Sequence, residues 1–356
     1  MKKMIFAAGA LLALAGCNNS TVLEQVTPTQ DSGMIEFRTN LDKATRAVEE
    51  LNLDGLKTKG FSVYGYKSDD NSDLLGGKKD VTWTGGAWTY SPKVKWPETT
   101  PVNFFAYAPT QGWPAEAVYT EAAGNEKTIV VNNANATLSA DILAAKATAS
   151  VIDNIASLPF NHILSQVQFK FKNAEDADIL MTVHSAALHN VKSNGTYTYS
   201  TDAWTNVAGE KTATILNDNA ADLTTASGAE AVNMGENMMI LPQSIEAWGG
   251  KPDGTATAST KGYLKFKATI KGKSGDNIVD KNGIAISNRD IYLPFNINFE
   301  KGKRYVITII AGDKTTTGKG GGFDENGNPL MSNLYIEFNA TVSDWVDATP
   351  APEFKF

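Results

Sequence analysis

The chain has 356 residues, a formal net charge of −7 and a single cysteine, Cys17. An acidic chain with no basic run argues against nucleic acid, or an anionic membrane surface, as a partner. With one cysteine no internal disulfide can form, so stability has to come from packing. The length exceeds that of most single domains, and two domains are therefore expected.

The first residues form a leader. Lys2 and Lys3 precede an apolar run that ends at Leu14, which is the pattern of a secretory signal. The run is too short for a transmembrane helix, which needs about 20 residues. Leu14-Ala15-Gly16-Cys17 resembles a bacterial lipobox. That resemblance implies cleavage before Cys17 and acylation of its thiol, with residues 1–16 as signal peptide; a plain secretory signal with a chance cysteine is the alternative.

Beyond the leader, the sequence alternates with the period of β-strands. Residues 18–33 are polar and are expected to form a tether. Met34–Thr39 alternates, with Ile35 and Phe37 on one face, and we expect a short strand there. Further strands are predicted at 61–66, 81–84, 87–90, 102–108, 128–131, 141–145, 165–172, 179–184, 238–241, 263–270, 291–295, 305–310 and 334–342.

One hairpin is specified in detail. The runs 81–84 and 87–90 are separated by Gly85 and Gly86, which can take the positive φ angles of a tight primed turn. A two-residue turn places Trp83 directly opposite Trp88, and such an aromatic pair contributes about 0.2–1 kcal/mol.

The predicted fold class is all-β, because no segment shows a sustained helical period. Two β-sandwiches in tandem are the simplest arrangement. We expect a lipidated N-terminal segment over residues 17–46, a first sandwich over 47–164 and a second over 165–356, of which residues 334–356 form a C-terminal tail.

Several stretches together resemble the fimbrillin superfamily, the lipoprotein subunits of type V pili in Bacteroidota. They occur in order along nearly the whole chain, and the stretch from Trp96 to Pro109 is the most characteristic. The stretches are the lipobox, Thr45-Arg46-Ala47, residues 90–97, 102–109, 160–167, Leu241-Pro242-Gln243, 299–305 and 340–345.

The resemblance implies two transthyretin-like sandwiches and a route of assembly. The precursor is lipidated, is held by outer-membrane lipid and is displayed at the cell surface. An Arg-specific protease then cuts near the N-terminus, the first strand leaves, and a strand from the C-terminal tail of another pilus subunit fills the groove. An edge opened in this way is a template for strand addition.

Candidate residues for this route can be named. Cleavage between Arg46 and Ala47 would release Cys17 together with the strand that carries Ile35 and Phe37. Arg38 is the other N-terminal arginine, but it lies inside the predicted strand. The candidate donor is a strand whose apolar side chains all point one way: Leu334, Ile336, Phe338, Ala340 and Val342. Its alternative role is that of a permanent last strand of the second domain.

Catalytic chemistry is not indicated. The three histidines, His162, His184 and His189, do not form a metal-ligand pattern, and neither a nucleophile elbow nor a phosphate-binding loop occurs.

We predict a non-enzymatic pilus subunit without cofactor or metal, and leave open whether it is stalk, anchor or tip. The alternatives are a monomeric surface glycan-binding lipoprotein and, as the weakest hypothesis, an envelope hydrolase. The glycan binder would use a platform of exposed tryptophans: Trp83, Trp88, Trp96, Trp113 and Trp204.

Overall fold

The protein is nearly all β in a computed structural model, which describes residues 33–41, 51–121, 125–250, 253–312, 322–331, 336–345 and 354–355. The predicted fold class is confirmed, whereas the transthyretin-like detail stays a prediction. The first half contains nine strands: β1 (Glu36–Leu41), β2 (Phe61–Lys67), β3 (Lys79–Thr84), β4 (Ala87–Thr89), β5 (Val102–Ala108), β6 (Ala117–Glu121), β7 (Lys127–Asn132), β8 (Leu143–Ala149) and β9 (Ile155–His162).

Seven of these strands form one sheet in the order β1-β9-β8-β5-β2-β3-β4. Strand β1 is at one end and runs parallel to β9, while the other pairs are antiparallel. The core that this sheet encloses is rich in aromatic side chains, among them Phe61, Trp88 and Phe104. Burial of such side chains stabilises a chain whose single cysteine allows no internal disulfide.

The predicted tryptophan hairpin is confirmed. Gly85 and Gly86 have φ angles of 63° and 86°, and Trp83 pairs with Trp88 across the ladder. The two rings lie 5.2 Å apart, in an edge-to-face arrangement. The turn sequence therefore fixed the register of this hairpin.

One short helix, α1 (Leu53–Lys59), occurs in a chain whose sequence shows no sustained helical period. It has seven residues, too few to show a helical period. Its local signal is Asn52, whose side chain accepts a hydrogen bond from the Gly55 N–H at 2.8 Å and caps the helix. Leu56 is fully buried against the first core.

The second half contains eleven strands: β10 (Ser165–Asn173), β11 (Ile179–Thr198), β12 (Ala203–Leu216), β13 (Val232–Ile240), β14 (Gln243–Ile245), β15 (Tyr263–Gly272), β16 (Arg289–Pro294), β17 (Ile297–Phe299), β18 (Lys303–Ala311), β19 (Ile336–Asp344) and β20 (Phe354–Lys355). A five-stranded sheet has the order β13-β10-β18-β19-β20, and a six-stranded sheet has the order β16-β15-β11-β7-β6 with β12 beside β11. The largest hydrophobic cluster draws on strands of both sheets.

Strand β11 is the longest and links the two halves. Its first part pairs with β15, and its last five residues, Asn194–Thr198, pair with β7 from the first half of the chain. Just after it, the Tyr199 hydroxyl donates to the Ala106 carbonyl in β5 at 2.9 Å. The hydrogen-bonded sheet thus crosses the domain boundary predicted before Ser165, and the division into 47–164 and 165–356 stays a prediction.

Candidate functional site

The segment 33–41 has main-chain partners on two sides, one along β1 and the other along the three residues that precede it. On one side, β9 pairs with it in parallel from Glu36 to Leu41. On the other side, the Ile35 N–H donates to the Val94 carbonyl at 2.8 Å, and the Trp96 N–H donates to the Gly33 carbonyl at 2.9 Å. Ile35 and Phe37 are 0% and 1% exposed. The first strand is therefore inserted in a groove rather than laid on the surface.

Aromatic rings surround the Phe37 side chain. The rings of Phe61 and Phe104 meet it edge-to-face at 6.0 and 5.5 Å, and the Tyr90 ring lies 5.4 Å away. These three come from β2, from β5 and from the residue after β4. Such contacts add about 0.5–1.5 kcal/mol each to the burial of the ring. Phe37 is the side chain that anchors β1.

The hydroxyl of Tyr90 forms hydrogen bonds both to the first strand and to the second wall of the groove. It donates to the Ile35 carbonyl at 3.0 Å and accepts from the Val94 N–H at 3.3 Å. Burial raises the pKa of Tyr90, so the hydroxyl keeps its proton. The family-like stretch 90–97 thus builds the second wall, a role that the sequence did not reveal. The signal that could have found it is the short segment between Pro92 and Pro97, in which Val94 and Trp96 alternate with lysines.

Two polar side chains on β1 differ in their pairing. Arg38 donates from Nε to the Ser157 hydroxyl at 2.7 Å, which fixes it to β9. Thr39 is 1% exposed, and its hydroxyl oxygen has no hydrogen-bond partner. A buried hydroxyl without a partner costs about 1–3 kcal/mol of desolvation free energy, so it makes the binding of β1 in the groove less favourable.

Several predicted site residues lie outside the described residues. These are Cys17, Arg46, Ala47 and Leu334. Strand β1 and the start of the first domain flank the segment that contains Arg46, so a cut there would separate β1 from everything that follows.

The remaining candidate donor residues lie in the protein's own C-terminal sheet. Strand β19 pairs with β18 along its full length, from Ile336 to Asp344. Ile336, Phe338 and Ala340 are buried in the second core, and Val342 is half-buried against it. This is the arrangement expected of a permanent strand.

Trp345 directly follows β19 and lies at the junction of the two halves. Its ring stacks on the His162 ring, with the centroids 4.2 Å apart and an interplanar angle of 5°, and its backbone N–H donates to the Gly302 carbonyl at 2.9 Å. His162 Nδ1 is 2.7 Å from Asp141 Oδ2. The chain up to residue 345 is therefore fastened to both halves.

The histidines serve packing and hydrogen bonding. His184 bonds Asp222 and Thr269, both at 2.7 Å, and His189 stacks on Tyr263. Among the residues that the structure describes, no group of three or more His, Cys, Asp or Glu side chains could hold a metal ion.

The five tryptophans do not form an exposed platform. Trp88 and Trp96 are buried. Trp83 is half-buried against Trp88, and the indole N–H groups of Trp113 and Trp204 donate to backbone carbonyls at 2.6 and 2.5 Å. Packing inside the fold accounts for all five.

A comparison with protein families decides what kind of chain this is. Residues 45–345 match the fimbrillin-like family model. The chain belongs to the fimbrillin-like family. Residues 1–18 also match the prokaryotic membrane lipoprotein lipid attachment site, which includes Cys17. In the described part of this fimbrillin-like chain, no helix has the length and apolar character to cross a membrane.

Solved structures with a similar fold come from Bacteroides. A fimbrial protein from Bacteroides vulgatus has a TM-score of 0.55 at 16% identity, and the match covers 88% of this fimbrillin-like chain and 99% of that chain. A putative cell adhesion protein from Bacteroides ovatus has a TM-score of 0.46 at 14% identity, covering 90% and 100%. At 16% identity, the likeness to the Bacteroides vulgatus protein concerns the fold alone. Among curated proteins no match is found.

Proposed function

We propose that this fimbrillin-like chain is a structural or adhesive subunit of a type V fimbrium, assembled by loss of its first strand and donor-strand exchange. The observation that carries the proposal is the insertion of the segment 33–41, which bonds to Val94–Trp96 before β1 and to β9 along β1, with Ile35 and Phe37 in the core. Such a strand can be replaced only by another strand of the same apolar pattern.

The precursor would be anchored by lipid on Cys17 in the outer membrane and cut between Arg46 and Ala47 by an Arg-specific protease. Arg38 is the poorer candidate, because its side chain is bonded to Ser157 within the paired strand. The family match supports this division, since it begins at residue 45 and leaves β1 outside. A product that begins at Ala47 loses its lipid and its first strand in one step.

The open groove would present two kinds of binding surface. Main-chain groups of β9 and of Val94–Trp96 would lose their partners, and an unpaired edge recruits another strand. The pocket among Phe61, Tyr90 and Phe104 would be left open for an apolar side chain. Refilling both with a second copy yields a head-to-tail polymer.

The donor best compatible with the fold is the tail after Trp345, a part of the predicted donor segment 334–356. Withdrawing β19 would break its whole ladder with β18 and expose Ile336 and Phe338. The final strand β20, in contrast, pairs with β19 at only two positions. The tail also carries apolar residues at every second position: Val346, Ala348, Pro350, Pro352, Phe354 and Phe356.

The test is the N-terminal sequence and mass of the protein recovered from the cell surface, for the wild type and for Arg46→Ala. We expect the wild type to begin at Ala47 without lipid, and the variant to keep acylated Cys17 and to form no filaments. Lys43→Ala is the matched control, because it removes a nearby cation that an Arg-specific protease does not use. Filaments of uncut Arg46→Ala would refute the proposed route.

A further inference from the structure

The turn between β8 and β9 presents two apolar side chains to solvent. Ile152 is 92% exposed, more than any other large hydrophobic side chain in the described part of the chain, and its neighbour Val151 is 38% exposed. Turn positions favour glycine, proline, asparagine, aspartate and serine, because these residues suit the geometry of a turn. Apolar side chains held out in this way can contact a partner protein or a membrane. No step of strand exchange uses this turn.

The turn is fixed by its own hydrogen bonds. The Asp153 N–H donates to the Ser150 carbonyl at 3.0 Å, which closes a β-turn with Val151 and Ile152 at its two central positions. The Asp153 carboxylate accepts from the backbone N–H and from the hydroxyl of Ser150, at 2.7 and 2.9 Å. These bonds hold the backbone in the conformation that directs Ile152 away from the fold.

This turn lies at the end of the first half that is remote from the second half. Strand β8 begins at Leu143, opposite His162, whose ring stacks on Trp345 at the junction of the halves. From there the strand runs about 20 Å to Ala149, directly before the turn. Strand β9 then returns to the junction. The exposed isoleucine is thus at the outer tip of the first half.

The chain from the lipid attachment site enters the fold at the same tip. Glu36 pairs with Ile155, the first residue of β9, so Gly33 lies close to the turn. Residues 18–32 join Gly33 to Cys17 and can span at most about 55 Å. Cys17 belongs to the matched lipid attachment site. An acyl anchor on Cys17 would therefore hold this tip of the molecule near the membrane.

The charges at this tip do not select a lipid by its charge. Lys93 and Lys95 are exposed in the segment that pairs with the chain before β1, and Asp69 and Asp70 are exposed in the loop after β2. Both signs occur, so a contact made here depends on burial of the apolar side chains. A bilayer surface with no net charge fits that description.

We propose that the turn at residues 150–154 rests on the membrane that holds the lipid anchor, with Ile152 inserted between the headgroups and the acyl chains. The proposal rests on the lipid anchor of the proposed precursor and is independent of strand exchange. The contact would fix the orientation of the precursor, with its second half pointing away from the membrane. Cleavage at Arg46 would remove the anchor, and the turn alone would bind too weakly to retain the subunit.

The test places a fluorescent probe on the turn. Ile152→Cys is introduced into the lipidated full chain together with Arg46→Ala, which keeps the chain uncut. Because the thiol of Cys17 is acylated, nitrobenzoxadiazole labels position 152 alone. In phosphatidylcholine vesicles that contain nitroxide-labelled lipid, we expect a blue shift of the probe and quenching by the nitroxide. The fold should persist, since an exposed side chain is replaced.

Ile284→Cys, in the same chain, is the matched control. Ile284 is 55% exposed, in a hairpin whose Ile286 carbonyl accepts from the Ile270 N–H. Ile270 pairs with Met181 near the start of β11, whereas β11 joins the first half at its other end. A probe at position 284 should therefore remain in water and escape quenching.

Quenching at position 152 without quenching at position 284 supports the membrane contact, and equal quenching at the two positions overturns it. A blue shift that appears without vesicles in the unlipidated chain, Cys17→Ser with Ile152→Cys, and grows with protein concentration would overturn it in favour of contact with a second copy. The mass of the labelled chain separates this proposal from the anchor. An unacylated chain overturns both, whereas an acylated chain whose probe stays in water overturns only the contact of the turn.

Discussion

The Tyr90 hydroxyl donates a hydrogen bond to the Ile35 carbonyl oxygen at 3.0 Å, across 55 residues of sequence. The Tyr90 hydroxyl oxygen also accepts a hydrogen bond from the Val94 N–H at 3.3 Å. One side chain thus ties the first strand to the segment that forms the second wall of its groove. Since the hydroxyl belongs to the part of the chain that follows Arg46, it would remain to bond an incoming donor strand.

Tyr90→Phe tests that link. Removing the hydroxyl leaves two buried main-chain groups without a partner, and we expect the free energy of unfolding of the precursor to fall by about 1–3 kcal/mol. Urea denaturation of the precursor, and of a chain that begins at Ala47, measures the effect. The shorter chain has no Ile35, so the substitution should cost it less. An equal loss in both chains would show that the bond to Ile35 contributes nothing.

The elements of the fold were predictable where the pattern is local. Alternation in sequence marked β1 and β10, and two glycines specified the Trp83–Trp88 hairpin. Helix α1 was missed because its single buried residue, Leu56, gives no period. The length of β11 was missed as well, since only its first part carries a continuous apolar alternation and the rest depends on pairing with β7 and β12.

The site was predictable only in part, for a physical reason. Alternation showed that Ile35 and Phe37 share a face, but not which side chains they meet. The partners of Phe37 are Phe61, Tyr90 and Phe104, which are separated in the chain and brought together by sheet order. Likewise, an alternating strand at 336–342 fits a donor and a permanent strand equally well, and only its pairing distinguishes them.

Phe37→Ala should loosen the first strand. The substitution empties the pocket between three rings, and buried Phe→Ala changes cost about 3–5 kcal/mol. We expect an equivalent fall in the unfolding free energy of the precursor, together with faster exchange of β1 amide hydrogens. Val118→Ala is the control, because Val118 is 54% exposed and its truncation should change stability by less than about 0.5 kcal/mol. If Phe37→Ala also lowers the free energy of unfolding by less than about 0.5 kcal/mol, the anchoring role of Phe37 is refuted.

Thr39→Val should have the opposite effect. The Thr39 hydroxyl oxygen is buried without a partner, and valine has the same shape, so we expect the precursor to gain about 1 kcal/mol. If β1 is held more tightly, it should leave more slowly after cleavage, and filaments should then grow more slowly. The measurement is the rate at which β1 is released. The matched control is Thr120→Val, which removes a hydroxyl bonded to Thr128 at 2.8 Å and should destabilise the chain. Destabilisation by both substitutions would contradict the assignment of Thr39 as unpaired.

His189 should make the protein sensitive to acid. Burial, with a smaller effect of Lys265, lowers its pKa from 6.5 to about 4. As pH falls from 6.5 towards 4, the unfolded chain therefore binds a proton at this histidine that the folded chain does not bind. The free energy of unfolding decreases as the pH falls. His189→Phe keeps a ring to stack on Tyr263 and removes the titration. As the pH falls from 6.5 to 4, the denaturation midpoint of the wild type should decrease more than that of the variant. A difference between the two midpoints that stays constant with pH would contradict the prediction.

Two truncations separate the roles of β19 and of the tail. Ending the chain after Trp345 keeps the β18–β19 ladder and the stacking on His162, so we expect a folded subunit that accepts a donor strand but supplies none. Mixed with wild-type subunits it should shorten filaments, as seen by electron microscopy, without lowering the melting temperature. Ending the chain before Leu334 also removes Ile336 and Phe338 from the second core and should unfold that half. If the first truncation polymerises normally while the second is folded and inert, the donor is β19 itself and the tail is dispensable.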